Sequence, residues 1–172
     1  AEVDLVAAPT HEKTKHPGVR LHAVESAEEM FQACQQIFPS ADITVFSAAV
    51  ADFKPLHAAE QKIKKADSTL NLELTRTRDI AAELGKQKKY GQVIVGFALE
   101  TENERANAEK KLASKNFDFI VLNSLNKSGA GFGHTTNQVE IISRKNGSRQ
   151  YALKSKKEVG IEIVAAFLEQ HD

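Results

Sequence analysis

Four short apolar runs along the chain predict its buried framework. They are Val3–Ala7, Ile43–Phe46, Val93–Phe97 and Phe119–Leu122, and all are rich in β-branched residues. Because apolar residues occupy mostly consecutive positions rather than every second one, both faces of each strand are expected to be buried. The pattern predicts strands of a parallel sheet that helices cover on both sides.

Two further stretches alternate apolar and polar residues. Leu70–Thr75 does so over six positions, and Val139–Leu153 does so on either side of the dipeptide Asn146-Gly147. Alternation is typical of strands with one face in water, and Asn-Gly is a strong tight-turn signal. We therefore expect an antiparallel extension at one edge of the mainly parallel sheet.

Helix starts are marked by three capping boxes, in which a hydroxyl residue is followed three positions later by glutamate. The boxes are Ser26-x-x-Glu29, Thr101-x-x-Glu104 and Ser155-x-x-Glu158. They predict helices over 27–38, 102–115 and 156–170. A shorter helix is predicted over 79–84, ended by Gly85. Strands that alternate with helices indicate an α/β fold.

Length and composition narrow the class of protein. The 172 residues fit a single domain, 1–172, with 41% hydrophobic and 27% charged residues. Lys+Arg and Asp+Glu both number 23, so no net field draws the chain to nucleic acid or to a membrane surface. No apolar run is long enough to span a bilayer, and no signal peptide is recognisable.

Cysteine and histidine usage gives little chemistry. The single cysteine, Cys34, excludes an internal disulfide and reads as a small core residue within a helix. The six histidines are scattered without metal-ligand spacing, so no protein metal site is expected. A cytoplasmic location fits this usage.

Candidate binding residues follow the predicted strands, since ligands of open α/β sheets bind beyond the carboxyl ends. After Ile43–Phe46 come small residues, including Ala49, and then Asp52. Small side chains let a ligand approach the backbone, and Asp52 can accept hydrogen bonds from ribose hydroxyls or a base amino group. The same residues also fit an ordinary loop before a Pro-containing bend.

A basic cluster follows ten residues later. Alternation sends Lys62 and Lys64 to one face, where they could neutralise a polyphosphate. Lysine also blunts the exposed edges of sheets, so a solvated edge explains the run equally simply.

Three further positions carry a functional and a plain interpretation. Phe97 could stack on a base or belong to the core. Lys111 and Lys115, four apart on one helix face, could meet an anion or only water. Arg78 and the following residues Asp79–Ala81 open the short helix, where an anion or an ordinary helix cap would fit.

Several familiar motifs are missing or misplaced. The run Gly129-Ala130-Gly131-Phe132-Gly133 precedes a strand instead of opening a helix, so it is not a dinucleotide fingerprint. No Walker A motif, Ser-His-Asp arrangement or paired catalytic carboxylates stand out. Basic residues, an aspartate and an aromatic at strand ends favour nucleotide binding.

These motifs occur together, in series, in one known family. "SAAVADFKP", "KIKK", "LELTRTRDIAAELG", "VIVGFALET", "FDFIVLN" and "NQVEII" follow one another in this order. The chain resembles phosphopantothenoylcysteine synthetase, the ligase domain usually fused to a flavin decarboxylase in bacterial coenzyme A biosynthesis. The resemblance covers nearly the whole chain and implies a Rossmann-like, mainly parallel sheet flanked by helices.

The resemblance also implies a reaction. CTP with Mg²⁺ would activate 4′-phosphopantothenate as an acyl-cytidylate, which L-cysteine would then convert to the amide. The protein would be a cytoplasmic homodimer, fused to or associated with a decarboxylase domain. FMN would be needed only where that decarboxylase is present.

Site roles carry over by motif. Lys62 would hold developing charge and is the expected catalytic residue, while Ile63 to Thr69 resembles a mobile flap. The expected nucleotide-binding residues are Ala49, Asp52, Lys62, Arg78, Asp79, Ile80, Ala81, Phe97, Lys111 and Lys115.

The chain departs from the family pattern in two places. Thr77-Arg78 stands where the family has Asn-Pro before Asp-Ile, which puts the contact made there in doubt. The family's first strand, Gly-rich turn and "Ser-Ser-Gly" segment have no counterpart, so part of the acyl site is expected to be missing from this stretch. The residues alone do not separate CTP from ATP.

Two other function classes remain open from the sequence. A dinucleotide-binding domain of an oxidoreductase would share the fold but lacks its glycine fingerprint here, and tight NADH binding would favour it. A non-catalytic interaction domain would explain the lysine clusters as wet surface, and neutralising "KIKK" without loss of activity would support it.

Overall fold

A computed structural model describes residues 1–57, 61, 63, 70–124 and 135–169. The strands are β1 Val3–Ala7, β2 Val19–Ala23, β3 Ile43–Phe46, β4 Phe53–Pro55, β5 Leu74–Arg76, β6 Val93–Glu100, β7 Phe119–Ser124, β8 Thr136–Asn137, β9 Val139–Ser143, β10 Gly147–Gln150 and β11 Lys154–Ser155. The helices are α1 Ala27–Ile37, α2 Ile80–Lys86, α3 Glu104–Ser114 and α4 Lys156–Leu168.

The chain divides into two compact units. Unit 1 combines Ala1–Ile37 with Ala48–Ile80, and unit 2 combines Phe38–Ser47 with Ala81–Asp172. The single domain 1–172 stays a prediction, and each unit is described by itself below.

Unit 1 is built on two small sheets. Strands β1 and β2 pair in parallel, from Val3 opposite Val19 to Ala7 opposite Ala23. Strands β4 and β5 form an antiparallel pair that we call the arm. Helix α1 buries Met30 and Phe31, which supply much of the unit's apolar core.

The sequence prediction for β1 was right in its bounds and wrong in its burial. Val3 is 46% exposed and Leu5 is 40% exposed, so this strand is not covered on both faces. Its partner β2 was missed, because the run Val19–Ala23 mixes Arg20 and His22 with small apolar residues.

Unit 2 contains the main sheet, with strand order β10-β9-β7-β6-β3. Strands β3, β6 and β7 are parallel, while β9 and β10 are antiparallel additions at one edge. The predicted parallel core is confirmed for β3, β6 and β7, and the predicted antiparallel extension for the stretch that begins at Val139. Two parts of the prediction were wrong: Val3–Ala7 pairs with β2 in a separate sheet, and Leu74–Arg76 pairs with β4 instead of extending the main sheet. Helix α4 packs Val159, Ile163 and Phe167 on one sheet face, and α3 packs Ala108 and Leu112 against β6 and β7.

The predicted helix starts hold in two of three cases. Ser155 and Glu158 form a complete capping box at α4, and Ser26 Oγ accepts a hydrogen bond from the Glu29 N–H at 3.2 Å. The Thr101 box was wrong: α3 starts at Glu104, after Asn103 in the left-handed conformation.

Gly85 does not end its helix, which corrects a second prediction. The glycine lies inside α2, and a Cβ there would be 2.1 Å from the Lys115 carbonyl oxygen. Asn116 Nδ2 also donates to the Gly85 carbonyl at 3.0 Å. Close approach of two backbone segments, rather than a turn, therefore requires a glycine at this position.

Candidate functional site

In unit 1, the small-residue loop after β3 is tied to the segment before α2. The Thr77 N–H donates to the Asp52 carbonyl at 2.9 Å, and Thr77 Oγ1 donates to the Ala51 carbonyl. The arm begins directly beyond this junction, with Phe53 opposite Arg76. Ala49 and Asp52 are exposed in the loop, so their backbone and carboxylate are accessible to a ligand.

Arg78 is held by helix α1 and is still half exposed. Its guanidinium carbon lies 4.2 Å from the centre of the Phe31 ring, and its Nη2 lies 3.9 Å from Glu28 Oε1. The side chain is 49% exposed. Stacking on an aromatic ring restricts the guanidinium while leaving donors for a further acceptor.

The next three predicted residues enter a short helix. Asp79 is exposed, Ile80 is buried at 6% exposure and Ala81 is half-buried. Helix α2 has only seven residues. Any contact of Ile80 or Ala81 with a nucleotide would therefore involve the backbone more than the side chain.

In unit 2, Phe97 is an aromatic residue that the core does not cover. Val95, two residues earlier on the same face of β6, is completely buried, whereas Phe97 is 37% exposed. Strand β6 is an interior strand of the sheet, between β3 and β7. The cover provided by α4 thus ends before Phe97, which leaves an open ring towards the carboxyl end of the strand.

Lys111 is bound at the carboxyl end of the same strand. Its Nζ lies 2.6 Å from Oε1 of Glu100, the last residue of β6. Asn107, one turn earlier on α3, donates from Nδ2 to Glu100 Oε2 at 3.4 Å and to the Glu102 carbonyl at 2.9 Å. Residues 97 and 100 point to opposite faces of the sheet, so Phe97 and Lys111 flank the strand end from two sides.

Lys115 occupies the other end of α3. It is the C-cap residue, and its N–H donates to the Lys111 carbonyl at 3.0 Å. Its carbonyl lies against Gly85. Its proposed contact with phosphates stays a prediction, as does that of Lys111.

The expected catalytic residue, Lys62, lies outside the described residues, as do Lys64 and Lys65. Ile63 is described and is 55% exposed. The gathering of Lys62, Asp52 and the α3 lysines around one ligand therefore stays a prediction.

Metal and thiol chemistry find no built site in the described ranges. Within them, no group of three or more His, Cys, Asp or Glu residues could hold a metal ion. Cys34 is half-buried, and burial raises the pKa of its thiol, which disfavours the reactive thiolate. Among the described helices none is long and apolar enough to cross a bilayer.

Sequence reasoning missed two polar residues at the ends of adjacent strands. Glu100 belongs to the "GFALET" motif, but its link to Lys111 requires the β6–α3 crossover to be formed. Asn123, near the end of β7, has a buried Oδ1 with no hydrogen-bond partner in the part of the chain that is described. For both residues, the available signal in the sequence was a polar residue at the end of an otherwise apolar strand.

The chain is similar to known proteins over almost its whole length. Residues 1–170 match the model of the DNA/pantothenate metabolism flavoprotein C-terminal domain. A cysteine/cysteine sulfinic acid decarboxylase of an unknown prokaryotic organism is 46% identical over 98% of this chain and 47% of that protein. The coenzyme A biosynthesis bifunctional protein CoaBC of Bacillus subtilis is 41% identical over 95% of this chain and 40% of that protein. The chain spans less than half the length of these curated relatives.

Solved structures share the fold. The crystal structure of the C-terminal domain of CoaBC superposes with a TM-score of 0.79 at 34% identity, covering 98% of this chain and 75% of that chain. A Cab2 mutant in complex with phosphopantothenate-cysteine superposes with a TM-score of 0.67 over 90% of this chain and 54% of that one, at 19% identity, and therefore supports the fold alone. The Rossmann-like α/β prediction is confirmed. With a family match over almost its full length, the chain belongs to the DNA/pantothenate metabolism flavoprotein C-terminal domain family.

Proposed function

We propose that this chain is the ligase domain that joins 4′-phosphopantothenate to L-cysteine, using CTP, in coenzyme A biosynthesis. In the first step, a carboxylate oxygen of 4′-phosphopantothenate attacks the α-phosphorus of CTP and pyrophosphate leaves. In the second step, the cysteine amine attacks the acyl carbon, an amide forms, and CMP leaves with the bond electrons. The amine gives up one proton to solvent or to a nearby base.

The proposed reaction needs no nucleophile from the protein. Both nucleophiles come from the substrates, so the domain must position them and stabilise the charge that develops on phosphate oxygens. The hydrogen-bonded loop at Asp52, the exposed ring of Phe97 and the paired ammonium of Lys111 are suited to that task.

The open ring of Phe97 beside the Glu100–Lys111 pair is the observation that carries the proposal. A nucleotide lying across the carboxyl end of β6 would stack its base on Phe97 and bring its phosphates to Lys111. Lysine serves as a point charge for phosphates. In unit 1, the Asp52 carboxylate is exposed and can accept hydrogen bonds, and its contact with the ribose or the base is carried over from the family motif.

The relatives support the same reaction class. The CoaBC proteins are named for coenzyme A biosynthesis, and the fold neighbour Cab2 was solved with phosphopantothenate-cysteine. That ligand is the product the proposed reaction would form. Use of CTP rather than ATP remains part of the proposal.

Mg²⁺ would arrive with the triphosphate. This ion keeps several waters and binds through phosphate oxygens plus one or two carboxylates, so a dedicated protein cage is not required. Asp52, exposed in the loop after β3, can offer a carboxylate oxygen. The ion would neutralise charge on the phosphates. FMN would belong to a decarboxylase domain outside this chain.

We further propose that the domain forms a homodimer through its arm. Exposed apolar side chains crowd the arm and the residues next to it, namely Phe53, Leu56, Ile63, Leu70, Leu72 and Leu74. A two-stranded pair with such a surface gains stability by pairing with a second copy. Leu72→Lys should convert a dimer to a monomer in light scattering, and an unchanged mass would contradict the arm as the interface.

We assign the reaction to the cytoplasm, which fits a chain with a single cysteine.

Pyrophosphate release tests the function directly. The intact polypeptide should release pyrophosphate from CTP when 4′-phosphopantothenate is present, even without cysteine, and should release CMP only with cysteine. Lys62→Ala should lower turnover by about 10²-fold or more if it stabilises developing charge. The exposed Lys110 on α3 provides a control, since Lys110→Ala should leave turnover unchanged. Absence of CTP-dependent release in the wild-type protein would overturn the proposal.

A further inference from the structure

We propose that Glu100 is a positioning residue, which fixes the Lys111 ammonium at the carboxyl end of β6 so that it can receive the phosphates of the nucleotide. This inference rests on the proposed function and adds a residue to it. Glu100 itself would not touch the substrate, and its effect would pass through Lys111.

The Glu100–Lys111 pair is held between the end of β6 and helix α3. Glu100 is only 13% exposed, so its carboxylate is held within the β6–α3 corner. Asn107 donates to the second carboxylate oxygen and to a backbone carbonyl, which fixes the carboxylate from the helix side. Lysine side chains on a helix lean towards its N-terminus, so Lys111 reaches back to the strand end from two turns into α3.

Lys111 keeps capacity for an anion. An ammonium has three donors, and Glu100 is the one ion-pair partner of Lys111 among the described residues. The Lys111 side chain is 42% exposed. A flexible lysine loses side-chain entropy when it binds, and a carboxylate that already holds it reduces that loss.

A neighbouring pair provides a matched comparison. Glu140 is also 13% exposed and also pairs with a base of α3, namely Arg105 at 3.1 Å. Arg105 also pairs with Glu109. Its Nε donates to the Glu109 carboxylate at 3.0 Å, which restricts the guanidinium. Glu140 lies on the antiparallel strand β9, which β7 separates from β6. Removing its charge therefore controls for the general cost of breaking such a pair.

A double-mutant cycle in the intact polypeptide tests the inference. Glu100→Ala, Lys111→Ala and the double variant are titrated by calorimetry with CTP and, separately, with inorganic tripolyphosphate, both in Mg²⁺. Each single change should weaken binding about 10-fold, and the double variant should be no weaker than Lys111→Ala. Glu100→Gln keeps the shape and one acceptor oxygen and should weaken binding about threefold, which covers the case in which the alanine variant does not fold. Glu140→Ala should leave both affinities within about twofold of wild type.

The outcomes separate this inference from the proposed function. Unchanged affinity in Glu100→Ala, or a double variant weaker by the product of the two single effects, would overturn positioning while pyrophosphate release could still confirm the ligase. Coupling in tripolyphosphate binding without CTP turnover would support positioning and overturn the ligase. A wild-type protein that binds neither probe would overturn both.

Discussion

The two ends of the main sheet in unit 2 each hold a lysine–carboxylate pair, and the pairs differ in how fully they are satisfied. At the amino ends of β6 and β7, Lys88 Nζ lies 2.6 Å from both carboxylate oxygens of Asp118. Asp118 Oδ2 also accepts from the Ile94 N–H at 2.7 Å. At the carboxyl end of β6, Lys111 meets one oxygen of Glu100 and remains 42% exposed.

The difference separates a structural pair from the pair that we propose binds the nucleotide phosphates. Lys88 is 15% exposed and gives two of its three ammonium donors to one carboxylate, so it is poorly accessible to a ligand. Lys111 combines a fixed position with free donors, as an anion site requires. Both pairs join a lysine to a carboxylate, and we expect burial together with the number of occupied donors to decide their role.

The largest effect is expected from breaking the amino-end pair. Asp118→Ala removes the partner of a buried ammonium and an acceptor for the Ile94 N–H, which should cost about 3 kcal/mol of unfolding free energy. Urea denaturation followed by circular dichroism measures the loss. Nucleotide affinity of the folded fraction should be unchanged, and a loss of affinity without a loss of stability would contradict the structural role.

In the middle of β6, adding a single methyl group should disturb the packing and destabilise the protein. A Cβ on Gly96 would lie 2.0 Å from Phe117 Cε2, and that ring is buried and stacked on Phe46. Gly96→Ala should therefore cost about 2 kcal/mol in the same denaturation assay.

Gly160 is the control for that change, because a Cβ there meets no atom of the described residues within 4 Å. Gly160→Ala in α4 should stabilise the protein by about 0.5–1 kcal/mol. Equal effects of the two substitutions would rule out overpacking as the cause.

At the carboxyl end, removing the aromatic ring should affect binding and spare the fold. Phe97→Leu keeps an apolar side chain but loses the ring, which should weaken CTP binding by about fivefold. Tyr90 is fully exposed elsewhere, and Tyr90→Leu controls for nonspecific stacking. An unchanged CTP affinity in Phe97→Leu would remove Phe97 from the site.

The smallest effect concerns the N-terminal cap of α4. A hydrogen bond from Ser155 holds the pKa of Glu158 below its ordinary value of 4.5. Because the folded-state pKa is the lower one, the cap stabilises above about pH 4.5 and its contribution is lost as the pH falls through the folded value. Ser155→Ala should lower the Tm slightly at pH 7 and by less at pH 3. An equal shift at both pH values would contradict the linkage.

Strands with consecutive β-branched residues were the most predictable part of the fold. Phe119–Leu122 lies within β7 with all four residues buried, because burial on two faces leaves a pattern that local sequence carries. Ile43–Phe46 matches β3 at both ends, although Val45 is 47% exposed and the predicted burial on both faces was wrong there. Strand β2 was missed because Arg20 and His22 both contact Asp4, so its polar residues are satisfied by tertiary partners. The N-cap of α3 shifted from Thr101 to Asn103, which is left-handed and makes no side-chain cap hydrogen bond, so the capping-box pattern did not reveal this helix start.

The candidate site was predictable in kind and not in geometry. Strand-end positions identified Asp52, Phe97 and Lys111, because ligands of α/β sheets bind there. The role of Thr77 in pinning the loop and that of Glu100 in holding Lys111 depend on contacts 26 and 11 positions apart along the chain. Such contacts exist only after the crossovers form, so no periodicity reveals them.

Hydrogen–deuterium exchange with and without Mg²⁺-CTP tests the central claim most directly, since it reports on both ends of the sheet in one experiment. The account predicts slower amide exchange at residues 96–100 and 104–111 on CTP binding, with no change at 88–94 and 117–119. Protection confined to the amino ends, or absent from the carboxyl end of β6, would contradict it.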